Sequence, residues 1–376
     1  MTNIIAGVDR IKLYNFELDE FYKPNNNEKY SIVRIEDGDV FRIAKDSKGI
    51  KFKLNYIKAT NKQGYDGGFT ELKVGSSKGK DKAVENYQHL DINPSRILSI
   101  DGINLKNVST KNEFDKVLYL MEDEIKKNVC KKVDFSQAKI KILETNVNIP
   151  LDNEFCEYEQ AFEYCRSLLP MRMKSLNSIY YPDNVYTGFK IGNDSNSLKF
   201  YDKKAQILYD NGKKLKKEVL RIEYRDVTGT KVKNYLGYND VIQLTENLLS
   251  LDKTFKDRLY KDLISKIYKD IVIKVKDAVK KIKMYRTQGG KSAIDEYIKN
   301  DIFFDIEILL MALKETESPK NYSRQCTKAI ESARDVTNVN LIGNIHLLNE
   351  ILEKLNYPKI EMKMTPTIKK LLEEYY

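Results

Sequence analysis

The sequence predicts an α+β fold: a central antiparallel sheet flanked by helices, followed by a mainly helical C-terminal region. Three observations predict it. Apolar and polar residues alternate with period two in several segments of the first 110 residues. Strand patterns return between 139 and 225, separated by helical ones. Beyond about residue 229 the apolar spacing becomes helical and stays so to the end, interrupted only by Pro319, Pro358 and Pro366. A chain of 376 residues has room for two domains with real cores. The change of character places the boundary at 228–230: an α+β domain over 1–228 and a helical domain over 229–376.

The elements follow in order. Residues 9–18, 30–35, 49–54 and 69–74 alternate as half-buried strands. The clusters at 24–27, 37–38, 46–49 and 66–68 are rich in Asn, Asp and Gly and read as turns, and 75–80 as a flexible basic loop. Residues 111–131 have helical spacing, with Thr110 as N-cap and Glu113 as its capping-box partner. A strand at 139–149 ends at Pro150, and 154–169 is helical again. Segments 185–190 and 197–201 form a hairpin around 192–196. A short helix over 202–209 and a turn at Asn211-Gly212 lead into a strand at 218–225. Helices are expected over 239–250, 254–284, 291–314, 322–335, 339–355 and 365–375.

A net charge of +10 favours an anionic partner, nucleic acid before a membrane surface. Bias toward Lys, Ile, Asn and Tyr, with no Trp, offers a compositional reason for the same charge. Cys130, Cys156, Cys165 and Cys326 form neither a CxxC pair nor a zinc spacing, which fits reduced thiols in a cytoplasmic protein. No uncharged run reaches the length of a membrane span, so no membrane partner is expected.

The chemistry-bearing segments are Ser-Leu-Lys-Phe-Tyr-Asp-Lys-Lys at 197–204 and Leu-Arg-Ile-Glu-Tyr-Arg at 220–225. A tyrosine nucleophile needs an exposed hydroxyl and a means of losing its proton. Tyr201 is the candidate, and Lys204 lies on the same face if a helix starts at Tyr201. Glu223 shares a strand face with Arg221 and Arg225, and Glu144 lies in a neighbouring strand segment. Two strand-borne carboxylates suit Mg²⁺ or Mn²⁺. Cross-strand lysines and arginines that neutralise both are the alternative.

These segments resemble the replication initiators of rolling-circle plasmids and filamentous phages. Lys-Ile-Lys-Ile-Leu-Glu at 139–144 is similar to their upstream acidic strand, and Ile-Asn-Pro-Ser-Arg-Ile-Leu at 92–98 to another recurring segment. The resemblance covers about 85–240. It implies that Tyr201 nicks origin DNA and joins its 5′-phosphate, that Glu144 and Glu223 bind Mg²⁺ or Mn²⁺, and that a host helicase and polymerase are partners. A homodimer is also compatible with it. Two departures stand out. His89 and His346 cannot make a His-hydrophobe-His motif, and Arg225 stands where plasmid initiators carry a second acid. Asp202 or His89 is the candidate for the missing ligand. The departures leave a non-catalytic origin binder as a rival; a conjugative relaxase is another.

Basic residues beside the tyrosine suit a phosphate backbone: Lys199, Lys203, Arg221, Arg225, Lys213 and Lys214 are the candidate DNA contacts. Residues 203–217 hold six lysines and one acid. Between Lys253 and Arg286 twelve basic residues face four acids, on a segment with an apolar stripe.

Overall fold

The computed structural model describes residues 4–21, 30–34, 40–46, 49–55, 69–78, 84–98, 105, 107–169, 175–181, 185–193, 195–288, 292–301, 305–334, 345–361 and 365–374. The expected turns at 24–27, 37–38 and 66–68 lie outside them, as do residues 47–48 of the turn at 46–49 and the starts of the helices expected at 291 and 339.

Thirteen strands are described: β1 (Gly7–Tyr14), β2 (Glu17–Phe21), β3 (Tyr30–Arg34), β4 (Val40–Asp46), β5 (Gly49–Asn55), β6 (Phe69–Lys78), β7 (Val84–Ile92), β8 (Cys130–Asp134), β9 (Lys139–Pro150), β10 (Ser175–Tyr181), β11 (Val185–Gly192), β12 (Asn196–Asp202) and β13 (Val219–Asp226). Eleven form one antiparallel sheet in the order β10-β11-β12-β13-β9-β1-β7-β6-β5-β4-β3. β2 and β8 pair separately. The helices are α1 (Pro94–Leu98), α2 (Lys111–Asn128), α3 (Glu159–Leu168), α4 (Lys203–Asn211), α5 (Gly229–Leu236), α6 (Val241–Glu246), α7 (Leu248–Leu259), α8 (Ser265–Thr287), α9 (Ala293–Asn300), α10 (Ile306–Thr316), α11 (Pro319–Arg334), α12 (Ile345–Lys354) and α13 (Pro366–Glu373). The α+β architecture and its central antiparallel sheet are thus as the alternation predicts.

Several differences have plain causes. The single strand expected at 9–18 is two, because Asn15 adopts a left-handed φ of 58° and breaks the ladder. The loop expected at 75–80 is strand as far as Lys78; backbone pairing with β7 outweighs the flexible Gly-Ser-Ser composition. Thr110 does cap α2 by accepting from the Glu113 N–H, but the Glu113 carboxylate accepts from Ser109 N–H, one residue beyond the expected box.

The chain forms two compact units: 1–150 with 172–257, and 151–171 with 258–376. The division therefore falls at 257/258 and not at the change of periodicity near 228. The reason is burial. Val232, Val241, Leu244, Leu248 and Leu251 of α5–α7 join the same core as Ile11, Leu13, Ile140 and Leu143 of the sheet and Phe114, Val117, Met121 and Ile125 of α2. Phe255 of α7 meets Tyr224 of β13 edge-on, ring centroids 5.4 Å apart. Each such side chain gains about 1.5–3 kcal/mol by leaving water, so helices after 228 stay on the sheet that shelters them.

The second unit is helical. The apolar side of α8 (Ile267, Ile271, Val275, Ala278, Ile282) is buried in it, as are Leu309, Leu310 and Leu313 of α10. The 3₁₀ turn Phe155–Tyr158 and α3 belong to it too; Tyr164 donates to Asp270 at 2.8 Å. No helix among the described residues is long and apolar enough to cross a membrane.

Phe255→Ala is expected to cost about 3–5 kcal/mol, the range for emptying a large buried aromatic site. Urea unfolding of the full chain reads it; a loss under about 1 kcal/mol would mean that α7 does not depend on the sheet.

Candidate metal and nucleophile site

Register sorts the middle of the sheet into two faces. Thr145, Val147 and Ile149 of β9 stand beside Tyr224, Ile222 and Leu220 of β13, on the core side. Glu144, Asn146 and Asn148 stand beside Arg225, Glu223 and Arg221 on the other. On β12, Lys199 faces Glu223 and Tyr201 faces Arg221. A ladder of polar residues thus crosses three strands, and it is buried: Glu144, Asn146, Tyr201, Arg221 and Glu223 are each at most 7% exposed.

The fourth strand adds a residue that the alternation pattern does not single out. Val8 pairs with Thr145 and Arg10 with Glu144, so Asp9 is the extra residue of a β-bulge. A bulge re-aims a side chain, and the Asp9 carboxylate joins Glu144 and Glu223. One oxygen from each lies within 4.8 Å of the others. The only available signal was an acid inside an apolar alternation at 7–14; bulges carry no sequence mark that reveals the turn. Asp202 and His89, the expected candidates for a third ligand, are not in this group. Asp202 instead caps α4, accepting from the Ala205 N–H at 3.0 Å, and His89 lies opposite Tyr14 in the β1–β7 ladder.

Burial makes these charges costly unless they are paired. Lys199 bonds Glu223, Arg225 Nε lies 2.8 Å from Glu144, Arg10 reaches Glu144 at 3.6 Å, and Arg221 reaches Asp9 at 3.3 Å. Even so, burial followed by the charge of Glu223 pushes Glu144 up to about 7. Burial works to lower the Lys199 ammonium, but Glu223 and Glu144 outweigh it and raise it. Both amide atoms of fully buried Asn146, two residues from Glu144 and opposite Glu223, have no hydrogen-bond partner among the described residues. Three buried carboxylates and an unsatisfied amide oxygen are the hard oxygen donors that Mg²⁺ or Mn²⁺ takes. The residues fit such an ion.

Tyr201 donates to Glu223 Oε2 at 3.2 Å, and Arg221 hydrogen-bonds the tyrosine oxygen. The hydroxyl is buried, not exposed as the chemistry led one to expect: Tyr201 is 5% exposed. Gly188 lies directly opposite, with φ at 132°; a Cβ there would stand 2.7 Å from Tyr201 Cα, so only glycine lets β11 approach. β12 runs through Tyr201 to Asp202, which is the N-cap of α4, so the expected helical relation of Tyr201 to Lys204 fails. Lys204 pairs with Glu218 instead. Lys203 takes the place beside the tyrosine, its ammonium 6.0 Å from the ring centroid and its side chain buried. Burial, then Arg221, pushes it down to about 7.

Of the expected DNA contacts, Lys199, Arg221 and Arg225 therefore serve the acids. Lys213 and Lys214 lie in the loop after α4, outside the cluster. No known protein family matches the chain, and no curated protein is similar to it.

Two outcomes follow for the acids. Glu144 holds its proton more tightly folded than unfolded, so its contribution to stability is complete below pH 4.5 and is lost as the pH rises to about 7. In EDTA, Glu144→Gln should raise unfolding stability by about 2–3 kcal/mol at pH 8.5 and change it little near pH 4.5; an equal effect at both pH values contradicts this. Titration calorimetry with Mn²⁺ should show one site, with affinity reduced at least about tenfold in Glu223→Gln.

Proposed function

We propose that this chain is a rolling-circle replication initiator of a plasmid or phage-like element, nicking and transferring a DNA strand through a covalent 5′-phosphotyrosine. The observation that carries the reading is the Tyr201 hydroxyl bonded to Glu223 within a buried group of three carboxylates. It supports the reading because a tyrosine hydroxyl next to a carboxylate has a proton acceptor at hand, and clustered carboxylates are the donors a hard cation takes. The resemblance at 197–204 and 220–225 supplies the substrate class.

In this reading the Tyr201 oxygen attacks a phosphodiester phosphorus. The bond from phosphorus to the 3′-oxygen breaks, and a phosphotyrosine ester to the 5′ side forms. Glu223 accepts the tyrosine proton, which ends on the released 3′-oxygen; that hydroxyl then primes synthesis. Arg221 steadies the tyrosine oxygen as it gains charge, and Lys203 adds a second cation beside the ring. Asp9, Glu144 and Glu223, with the Asn146 amide, would hold Mg²⁺ or Mn²⁺. When bound, the ion supplies Lewis-acid polarisation of the phosphate. Because the tyrosine is buried, the substrate strand must displace what covers it. Partners in this reading are origin DNA, as a single strand or extruded hairpin and as duplex, a host helicase and polymerase, and a second copy of the chain; the compartment is the cytoplasm.

A second reading, a non-catalytic origin binder, draws on one observation. Arg225 occupies Glu144 and Lys199 occupies Glu223, so cations already sit where a divalent ion would.

One experiment separates the two. Wild type and Tyr201→Phe are incubated with a labelled pool of random-sequence single-stranded DNA, with Mn²⁺ or EDTA. A detergent-resistant adduct is expected only for wild type with Mn²⁺. An adduct in Tyr201→Phe moves the nucleophile elsewhere; no adduct with salt-sensitive binding retained leaves the second reading.

A further inference from the structure

Helix α8 carries its charge unevenly. Lys266, Lys269, Lys276, Lys280 and Lys283, with Ile273 completing the spacing, follow one another at intervals of three and four residues. That spacing puts them on one side of a helix, within an arc of about 100° and along about 25 Å. Four of these lysines are exposed and Lys266 is half-buried. None has a carboxylate partner among the described residues.

The other cations of the same helix are spoken for. Lys274 pairs with Asp270 at 2.8 Å, and Lys281 with Asp277 and Asp301 at 2.8 and 3.0 Å. Arg286 pairs with Glu317. The two acids of α8 thus turn to lysines outside the stripe, and five positive charges are left in line with no acid among them. Mutual repulsion makes such an array unfavourable alone, and an anionic partner relieves it.

We infer that this stripe is a docking surface for duplex DNA, lying along its phosphates. Three considerations select that occupant. Duplex DNA presents about one charge per 1.7 Å of axis, so a rigid line of about 25 Å meets an unbroken anionic surface. A single strand is held chiefly on aromatic platforms, and the stripe contains no aromatic residue. A membrane-surface helix needs its apolar face free to enter lipid, whereas Ile267, Ile271, Val275 and Ile282 are buried in the protein's own core. The surface shares with the nicking reading only the chemistry of the partner and rests on none of its catalytic residues.

The test uses the full chain in which all five lysines are changed to Gln, against wild type. A control changes Lys328, Lys359 and Lys370, which are each paired with a carboxylate. Circular dichroism and Tm confirm the fold of each. Affinity for a mixed-sequence 30-base-pair duplex is measured from about 50 to 300 mM salt, with a single-stranded 30-mer and phosphatidylserine vesicles as the other probes. Duplex affinity should fall at least about tenfold in the five-lysine variant, and the salt slope should shrink by about 0.9 for each phosphate that is no longer neutralised. The control should keep the wild-type slope. An unchanged slope in the five-lysine variant overturns the proposal. So does an equal weakening in the control, or a weakening confined to the single strand or the vesicles. The Mn²⁺-dependent adduct on single-stranded DNA does not enter this readout, so failure of either reading leaves the other standing.

Discussion

Everything at the candidate site depends on the neutralisation of three carboxylates inside a sheet. Asp9, Glu144 and Glu223 are buried together, and an isolated buried carboxylate is costly. Arg10, Arg221, Arg225 and Lys199 surround them. The balance is incomplete: Glu144 stays proton-hungry, with its carboxyl pushed up to about 7, and both amide atoms of Asn146 are without a partner among the described residues. A fold that only needed filling would place apolar residues here, since a buried ion network is weak evidence for stability. The cluster therefore reads as a site, with its cost met by the apolar face of the same strands.

That apolar face explains the domain arrangement as well. The strands that carry the acids on one side carry Val147, Ile149, Ile222 and Tyr224 on the other; Phe255 of α7 packs on Tyr224, and α2 and α5–α7 share a core with Leu143 of the same β9. The rigidity of a packed core is what can hold Tyr201, Glu223 and Arg221 within hydrogen-bond reach of one another. In the helical unit the logic is reversed. There the apolar residues of α8 are satisfied inward, and unbalanced charge is left outward in a single line.

The strand-borne site residues were legible because period two is a local property. Glu223 with Arg221 and Arg225 on one face follows from alternation alone, and the ladder bears it out. The hairpin around 192–196, the cap at Thr110 and the strand ending at Pro150 were legible for the same reason. What failed was whatever needed a neighbour. Lys204 was expected beside Tyr201 on the assumption of a helix, but the strand runs through Tyr201 and the cap at Asp202 sends Lys204 to Glu218 and Lys203 to the ring.

The sequence by itself determined the fold class, the strand carrying the tyrosine and the two faces of the strands, since these depend on patterns a few residues long. Tertiary structure alone decided that Asp9 completes the acidic group, because a bulge is set by pairing with β9. It decided that the tyrosine hydroxyl is buried on Glu223, and that the first unit runs on to Asp257, because α5–α7 share the sheet's core. Those outcomes depend on contacts between residues as far apart as Asp9 and Arg221, and no local pattern encodes them.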